Sequence, residues 1–323
     1  MKRISILSAL YLCMAALTFT SCSNDNEPEI VICPTDKALV FEATGGTKEL
    51  PIALDNWEVA VVLSNSQMSV FGDIYDENNN LIQENSPMKL TGPGRMTSNW
   101  DYHGFTFTHT SDNKLILDIH ENFYDEGFTY DLLLTSGEYS QRIPFEQKKS
   151  AGYSFEKITY TLSPGDGDSI YTKQAQAMVD KFIIHSDKPV EMTVFPFYNI
   201  HDTHFFTSND TRKDILLGKD SVEVNIPSNI YNDKIYFDSE PAIYNYDVKE
   251  KECLYKELEV TRLFEPGTTK PIMFAEFRQT KVSYTATYIN KETQDTYEVK
   301  GKFIRVVPTG KYELTFEHSP IIE

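Results

Sequence analysis

Short runs in which apolar and polar residues alternate, each closed by turn residues, constrain this chain more than any other feature. Glu49–Leu54, Phe105–Thr108, Leu115–Ile119, Tyr130–Leu134, Arg142–Phe145, Val282–Tyr288 and Tyr312–Phe316 all read this way. A period of two sends successive side chains to opposite faces, so each run gives a sheet one inward face. Turn residues return roughly every 8–12 positions, the spacing of an all-β sandwich. Thr172–Val179, with Gln and Ala and no Pro, is the one stretch that reads as a helix. The fold class expected is therefore all-β. A break falls at "EQKKSAGYSF", where a basic pair and Ser-Ala-Gly separate two strands, and it divides the chain into residues 36–149 and 150–323.

The N-terminus carries an address. Lys2 and Arg3 precede Ile4–Phe19, which is apolar apart from Ser5, Ser8 and Thr18. A charged start and a short apolar middle make a secretory signal over residues 1–21. The run closes on Phe19-Thr20-Ser21-Cys22. This resembles the lipobox of bacterial lipoproteins, with Phe19 in place of the usual Leu. The resemblance implies cleavage before Cys22 and acylation at that residue, and two or more acyl chains anchor a protein stably. Ser23, Asn24, Asp25, Asn26 and Glu27 follow, with Pro28 and Glu29, in an acidic tether over 22–35. That stretch resembles the export signal of Bacteroidetes-type surface lipoproteins. The same composition also makes a solvated spacer. The expected location is the outer membrane, lipid-anchored and exposed at the cell surface.

Loss of the signal removes Lys2 and Arg3 and no acid, so the formal charge moves from −18 to −20. Such a chain repels nucleic acid, which excludes DNA and RNA as partners. Cys33 and Cys253 remain after Cys13 and Cys22 are accounted for. They sit at no recognised metal or disulfide spacing and read as two buried free thiols, with pairing as the alternative.

Residues 36–148 carry Leu39-Val40-Phe41, Gly45-Gly46, Asn56-Trp57-Glu58-Val59 and a last hairpin with Ser136-Gly137 that ends on Phe145-Glu146-Gln147. This order resembles the BACON domain, a Bacteroidetes-associated carbohydrate-binding module. The resemblance implies an immunoglobulin-like β-sandwich; Trp57 reads as its core tryptophan, with a sugar platform as the alternative. An insertion at 72–104 departs from the pattern. Its Trp100 and Tyr102 are the candidate glycan contacts, because flat rings on loops can stack on the apolar face of a sugar.

Residues 155–317 carry Pro266, Gly267, Thr269 and Lys270, then Tyr284-Thr285-Ala286-Thr287, then Gly301, with Phe182–Phe197 upstream. They resemble the aerolysin type of β protein in its epsilon-toxin and mosquitocidal-toxin branch, which implies an elongated β-rich domain. Separate strands are expected at Ile272–Phe277, Val282–Tyr288, Tyr297–Phe303 and Tyr312–Phe316, with Thr309-Gly310 turning the chain into the last. A membrane-inserting hairpin would fall in residues 204–240, but Pro227 cuts its one alternating strand short and Arg212, Lys213 and Asp214 stand together there. Charges facing lipid at mid-bilayer cost about 2–4 kcal/mol each.

Chemistry is sparse. His201 and His204 lie three apart, on opposite faces of a strand, and cannot share an ion there. Asp73, Asp76, Asp166 and Asp168 match turn chemistry as well as calcium. No Gly-x-Ser-x-Gly elbow occurs. The expectation is a non-enzymatic surface lipoprotein, with no cofactor, metal or catalytic residue, that binds a glycan, a host surface or a cell-envelope protein. A contact-dependent pore former and a glycan-processing enzyme are the alternatives.

Overall fold

The computed structural model describes residues 31–35, 38–65, 67–176, 178–219 and 221–320. The signal, Cys22 and the tether residues Ser23, Asn24, Asp25, Asn26 and Glu27 lie outside them. The described chain is all-β, and Lys213–Leu217 is its one α-helix.

Strands up to Gln147 form a two-sheet sandwich. The first sheet runs Leu39–Phe41, Tyr139–Gln147, Phe128–Ser136, Trp57–Ser64, Met68–Ser69. The second runs Gly46–Pro51, Lys114–Ile119, His103–His109, Gly94–Trp100, Phe71–Asp76, Leu81–Pro87. The 72–104 insertion thus builds the outer half of the second sheet rather than a loop. The inward face of every long strand meets in one core, with Val59, Val62, Leu132 and Phe145 of one sheet against Phe105, Phe107, Leu115 and Leu117 of the other. Trp57 belongs to that core at 3% exposure. Its indole N–H donates to Asn113 Oδ1 at 2.7 Å, and its ring stacks on His109 at 3.8 Å. The buried polar end is thereby satisfied, as an interior tryptophan requires.

The register gives the sandwich two poles. Ile32, Cys33, Trp57, Asn113 and Gln141 sit at one, tied by bonds from Ala53 N–H to Ile32 O (2.8 Å) and from Cys33 N–H to Gln141 Oε1 (2.7 Å). Trp100, Phe128 and Gln147 sit at the other, where Trp100 pairs with His103 and Phe128 with Gln147.

The second module is organised by two antiparallel strands of 24 residues each, Gly267–Asn290 and Thr296–Ser319. At about 3.3 Å per residue each spans roughly 80 Å. Three segments line the outer edge of the first end to end: Tyr153–Thr161, Gly167–Ala175 and Phe182–Ile184. His201–Thr207 and then Lys249–Glu252 extend the sheet beyond the second. The ribbon carries two clusters of core residues, one around Phe206, Tyr244, Tyr284 and Phe303 and one around Phe197, Met273 and Phe277. Cys33 and Cys253 are buried free thiols in different cores.

Three expectations are corrected here. The four separate strands are halves of the two long ones, and Thr309-Gly310 is a bulge rather than a turn. Ala275 pairs with Tyr312 and Phe277 with Pro308, so Thr309, Gly310 and Lys311 oppose Glu276 alone. Gly310 takes φ +85° there, and the Tyr255 ring closes over it. Thr172–Ala175, expected to be helical, is strand, paired residue for residue from Thr172–Glu276 to Ala175–Met273. An open ladder along the long strand outweighs the weak helical preference of Gln and Ala.

Candidate functional site

The candidate contacts lie on the hairpin of Gly94–Trp100 and His103–His109, whose two-residue tip is Asp101-Tyr102. Trp100 and His103 are directly opposite across that tip, so their side chains share a face. The indole stacks on the imidazole at 4.4 Å and 16°. His103 stacks in turn on Phe128 at 4.1 Å and 5°. Three flat groups therefore form one pile. Tyr124 closes its side, edge-on to His103 at 5.7 Å and to Phe128 at 5.9 Å. Trp100 is 42% exposed, whereas His103, Tyr124 and Phe128 are half-buried. Burial pushes the His103 pKa down to about 4, so at neutral pH the imidazole is an uncharged plate behind the indole.

Tyr102 does different work. Its ring meets Tyr124 edge-on at 5.1 Å, and its hydroxyl donates to the Thr211 carbonyl of the second module at 2.7 Å. The structure thus brings Trp100 and Tyr102 into one aromatic group but commits the Tyr102 hydroxyl to the joint.

The joint is built mainly by residues 120–124 of the first module. Glu121 Oε1 accepts from the Tyr153 hydroxyl at 2.9 Å and from Asn290 Nδ2 at 3.3 Å, and Oε2 accepts from the Tyr297 hydroxyl at 2.6 Å. Burial first, and then the Glu121 carboxylate, raise both phenol pKa values, so both tyrosines keep the protons they donate. Phe123 inserts beside them, stacked on Tyr153 at 5.6 Å and edge-on to Tyr297 at 5.8 Å, with the Arg212 guanidinium 5.7 Å over its ring.

A cleft of about 720 Å³ opens beside this joint, lined among others by Glu42, Phe128, Glu146, Lys148 and Lys149 of the first module and Glu292 of the second. Phe128 belongs to both features: it is the inner plate of the pile and part of the cleft wall. Its lining is otherwise mostly charged and polar, with Phe128 its one aromatic residue.

Other candidates resolve as structural groups. Asp76 accepts from Asn78 N–H, Asn80 N–H and Asn80 Nδ2 at 2.8–2.9 Å, capping its own turn, and Asp73 accepts from Asn85 N–H at 3.0 Å. The Asp166 carboxylate, 0% exposed, accepts from Lys302 Nζ and Ser283 Oγ at 2.6 Å and from the N–H groups of Ser163 and Ser283 at 2.9 Å. His201 and His204 lie in one extended strand, His201–Thr207. Among the described residues no group of three or more His, Cys, Asp or Glu is placed to hold a metal ion.

His103, Tyr124 and Phe128 were not among the residues singled out in the sequence. The string Trp100-Asp101-Tyr102-His103 could have revealed the first, because a two-residue turn places its flanks opposite each other. Phe128 arrives from a strand of the other sheet and leaves no local signal.

No family model matches the chain, and no curated protein does. Among solved structures, an NMR structure of a protein from Bacteroides thetaiotaomicron is 15% identical, with a TM-score of 0.25 over 37% of this chain and 84% of that one. The crystal structure of a lamprey immune protein is 8% identical, with a TM-score of 0.31 over 85% and 99%. An aerolysin-like protein of Bombina maxima is 15% identical, with a TM-score of 0.21 over 51% and 98%. At these scores none of the likenesses assigns a function.

Proposed function

We propose that this chain is a non-enzymatic lipoprotein of the outer membrane, anchored through Cys22 and exported by Ser23–Glu27, that binds a glycan through Trp100. The observation that carries the binding role is an exposed indole backed by a neutral, stacked imidazole and phenyl ring. A rigid pile of this kind offers a sugar an apolar surface with little conformational entropy left to lose. The acidic chain needs no cofactor for this role and no nucleic-acid partner.

The pore-forming alternative is less well supported. The strands touching the 204–240 interval, His201–Thr207, Val222–Val224, Pro227–Tyr231 and Lys234–Phe237, are three to seven residues long. A membrane-crossing strand needs about 9–11.

The test is retention of the full chain on immobilised neutral polysaccharides. Trp100→Ala is expected to weaken retention by about two- to tenfold, the effect of losing roughly 0.5–1.5 kcal/mol of stacking. Equal retention of wild type and variant would sink the glycan reading. For the anchor, Cys22→Ala is expected to move the protein from the detergent phase to the aqueous phase. An unchanged partition would remove the lipoprotein assignment.

A further inference from the structure

We infer that Tyr102 is a positioning residue for the Trp100 site: its hydroxyl joins the tip of the binding hairpin to the second module, so that glycan binding and module docking reinforce each other. The inference rests on the glycan reading of Trp100 and adds what holds that site in place.

Tyr102 lies in the two-residue tip between Trp100 and His103, the exposed indole and the plate behind it. Both ends of Tyr102 are held. Its carbonyl accepts from the Phe123 N–H at 2.8 Å, and its hydroxyl donates to the Thr211 carbonyl at 2.7 Å. The two partners meet in turn, because the Arg212 guanidinium lies 5.7 Å over the Phe123 ring. Tyr102, Phe123 and the Thr211-Arg212 pair thus close a ring of contacts across the joint. A tip residue anchored on two sides has less freedom than one held by its ladder alone.

The acceptor is itself fixed to the long ribbon of the second module. Ser208 Oγ donates to the Lys300 carbonyl at 2.7 Å and accepts from the Asp210 N–H at 3.1 Å. The Asp210 carboxylate accepts from the Arg212 N–H at 2.9 Å, from its Nε at 3.0 Å and from its Nη2 at 2.9 Å. Thr211 lies between these two residues, so its carbonyl sits on a braced turn.

In the first module, the segment that plugs the joint also supports the pile. Glu121 and Phe123 reach the second module, whereas Tyr124 turns to the hairpin, edge-on to Tyr102 and His103. The His120 N–H donates to the Gly104 carbonyl at 2.8 Å, just past the tip. Asn122, 0% exposed, sets the course of this segment. Its Oδ1 accepts from the Tyr124 N–H at 2.9 Å, and its Nδ2 donates to the Glu126 and Lys148 carbonyls at 2.8 and 3.0 Å. Parting the modules therefore disturbs both supports of the indole, the tip and Tyr124. A site ordered before its ligand arrives loses less entropy on binding. By reciprocity, a ligand on Trp100 strengthens the docking that orders the site.

The experiment combines hydrogen exchange of the full chain with affinity electrophoresis in gels that contain soluble starch, glucomannan or xyloglucan. Tyr102→Phe removes the hydroxyl and keeps the ring against Tyr124, so it cuts the link to Thr211 alone. Without polysaccharide, this variant is expected to raise the exchange of the backbone amides of residues 100–104 by about threefold or more. It is also expected to bind about threefold more weakly to a polysaccharide that retards the wild type. Saturating the wild type with that polysaccharide is expected to slow exchange at residues 210–214 of the second module. Faster exchange without weaker binding would show that the link does not serve the site. Weaker binding without faster exchange would make the hydroxyl a direct ligand contact. Either result overturns the inference and leaves the Trp100 reading standing, as does a variant unchanged in both, or saturation that leaves residues 210–214 unprotected. Retardation that survives Trp100→Ala, or that is absent from all three gels, overturns the glycan reading and the inference together.

Discussion

Alanine at Gly301 is expected to lower the stability of the second module by about 3 kcal/mol, the upper part of the range for inserting atoms where none fit. A Cβ at this position would stand 1.9 Å from the Thr207 carbonyl oxygen and 2.7 Å from the Tyr284 ring. The first obstacle is backbone and cannot rotate away. Relief requires His201–Thr207 to draw back from Thr296–Ser319, which breaks pairing from Thr203–Val306 to Thr207–Lys302. That strand also carries Phe206, packed edge-on to Tyr244 at 4.8 Å and to Tyr284 at 5.4 Å and tilted against Phe303 at 5.1 Å. Both tryptophans of the chain, Trp57 and Trp100, belong to the first module. Urea unfolding followed by tryptophan fluorescence therefore reports the first module, and the far-ultraviolet signal reports both. The far-ultraviolet curve should gain an early phase in Gly301→Ala that the fluorescence lacks. Coincident and unshifted curves would show that the strand absorbs the methyl group.

Asp166→Ala is expected to cost about 3 kcal/mol, because it removes the counter-charge of Lys302 and strands two backbone N–H groups. The chain leaves the long edge at Thr161, opposite Ser283, and rejoins it at Gly167, opposite Lys281. Between those points no strand carbonyl serves the Ser283 N–H, and the Asp166 carboxylate takes its place. Burial alone would raise the pKa of this carboxyl. The bonds from Lys302, from the Ser283 hydroxyl and from two backbone groups outweigh burial, so the folded-state value lies below the ordinary one. A lowered folded value means that the contribution is complete above the ordinary carboxyl range near pH 4. It fades as pH falls through the folded value. The stability gap between wild type and Asp166→Ala, measured by urea unfolding, should therefore be widest at neutral pH and narrow below about pH 4. A gap that is constant across that window would show that the lost charge is not what destabilises the variant.

Much of the fold was legible because period two is a local property. Leu115, Leu117 and Ile119 announce their strand, and all three point into the sandwich core as expected. Gly45-Gly46 turns the first strand into the second, and Trp57 is interior. What escaped depends on pairing at a distance. Thr309-Gly310 has turn chemistry, yet its partner strand continues past it, and a bulge results. Thr172–Ala175 is compatible with either helix or strand, and only the presence of Met273–Glu276 decides. The site follows the same rule. Trp100 was visible as an aromatic residue among polar neighbours. The plates behind it come from across the hairpin and from the other sheet, so no neighbouring stretch of sequence announces the pair.

The two poles of the sandwich have a mechanical meaning. The described chain enters at the pole of Ile32 and Cys33, and Trp100 stands at the opposite one. A ligand held at Trp100 while the N-terminus is restrained pulls along the strands rather than across them. Ladder bonds lie perpendicular to the strands, so such a load shears many at once and does not open them one by one. A sandwich loaded in that direction holds against more force than one loaded across its strands, as a rope lock resists tension along its own axis.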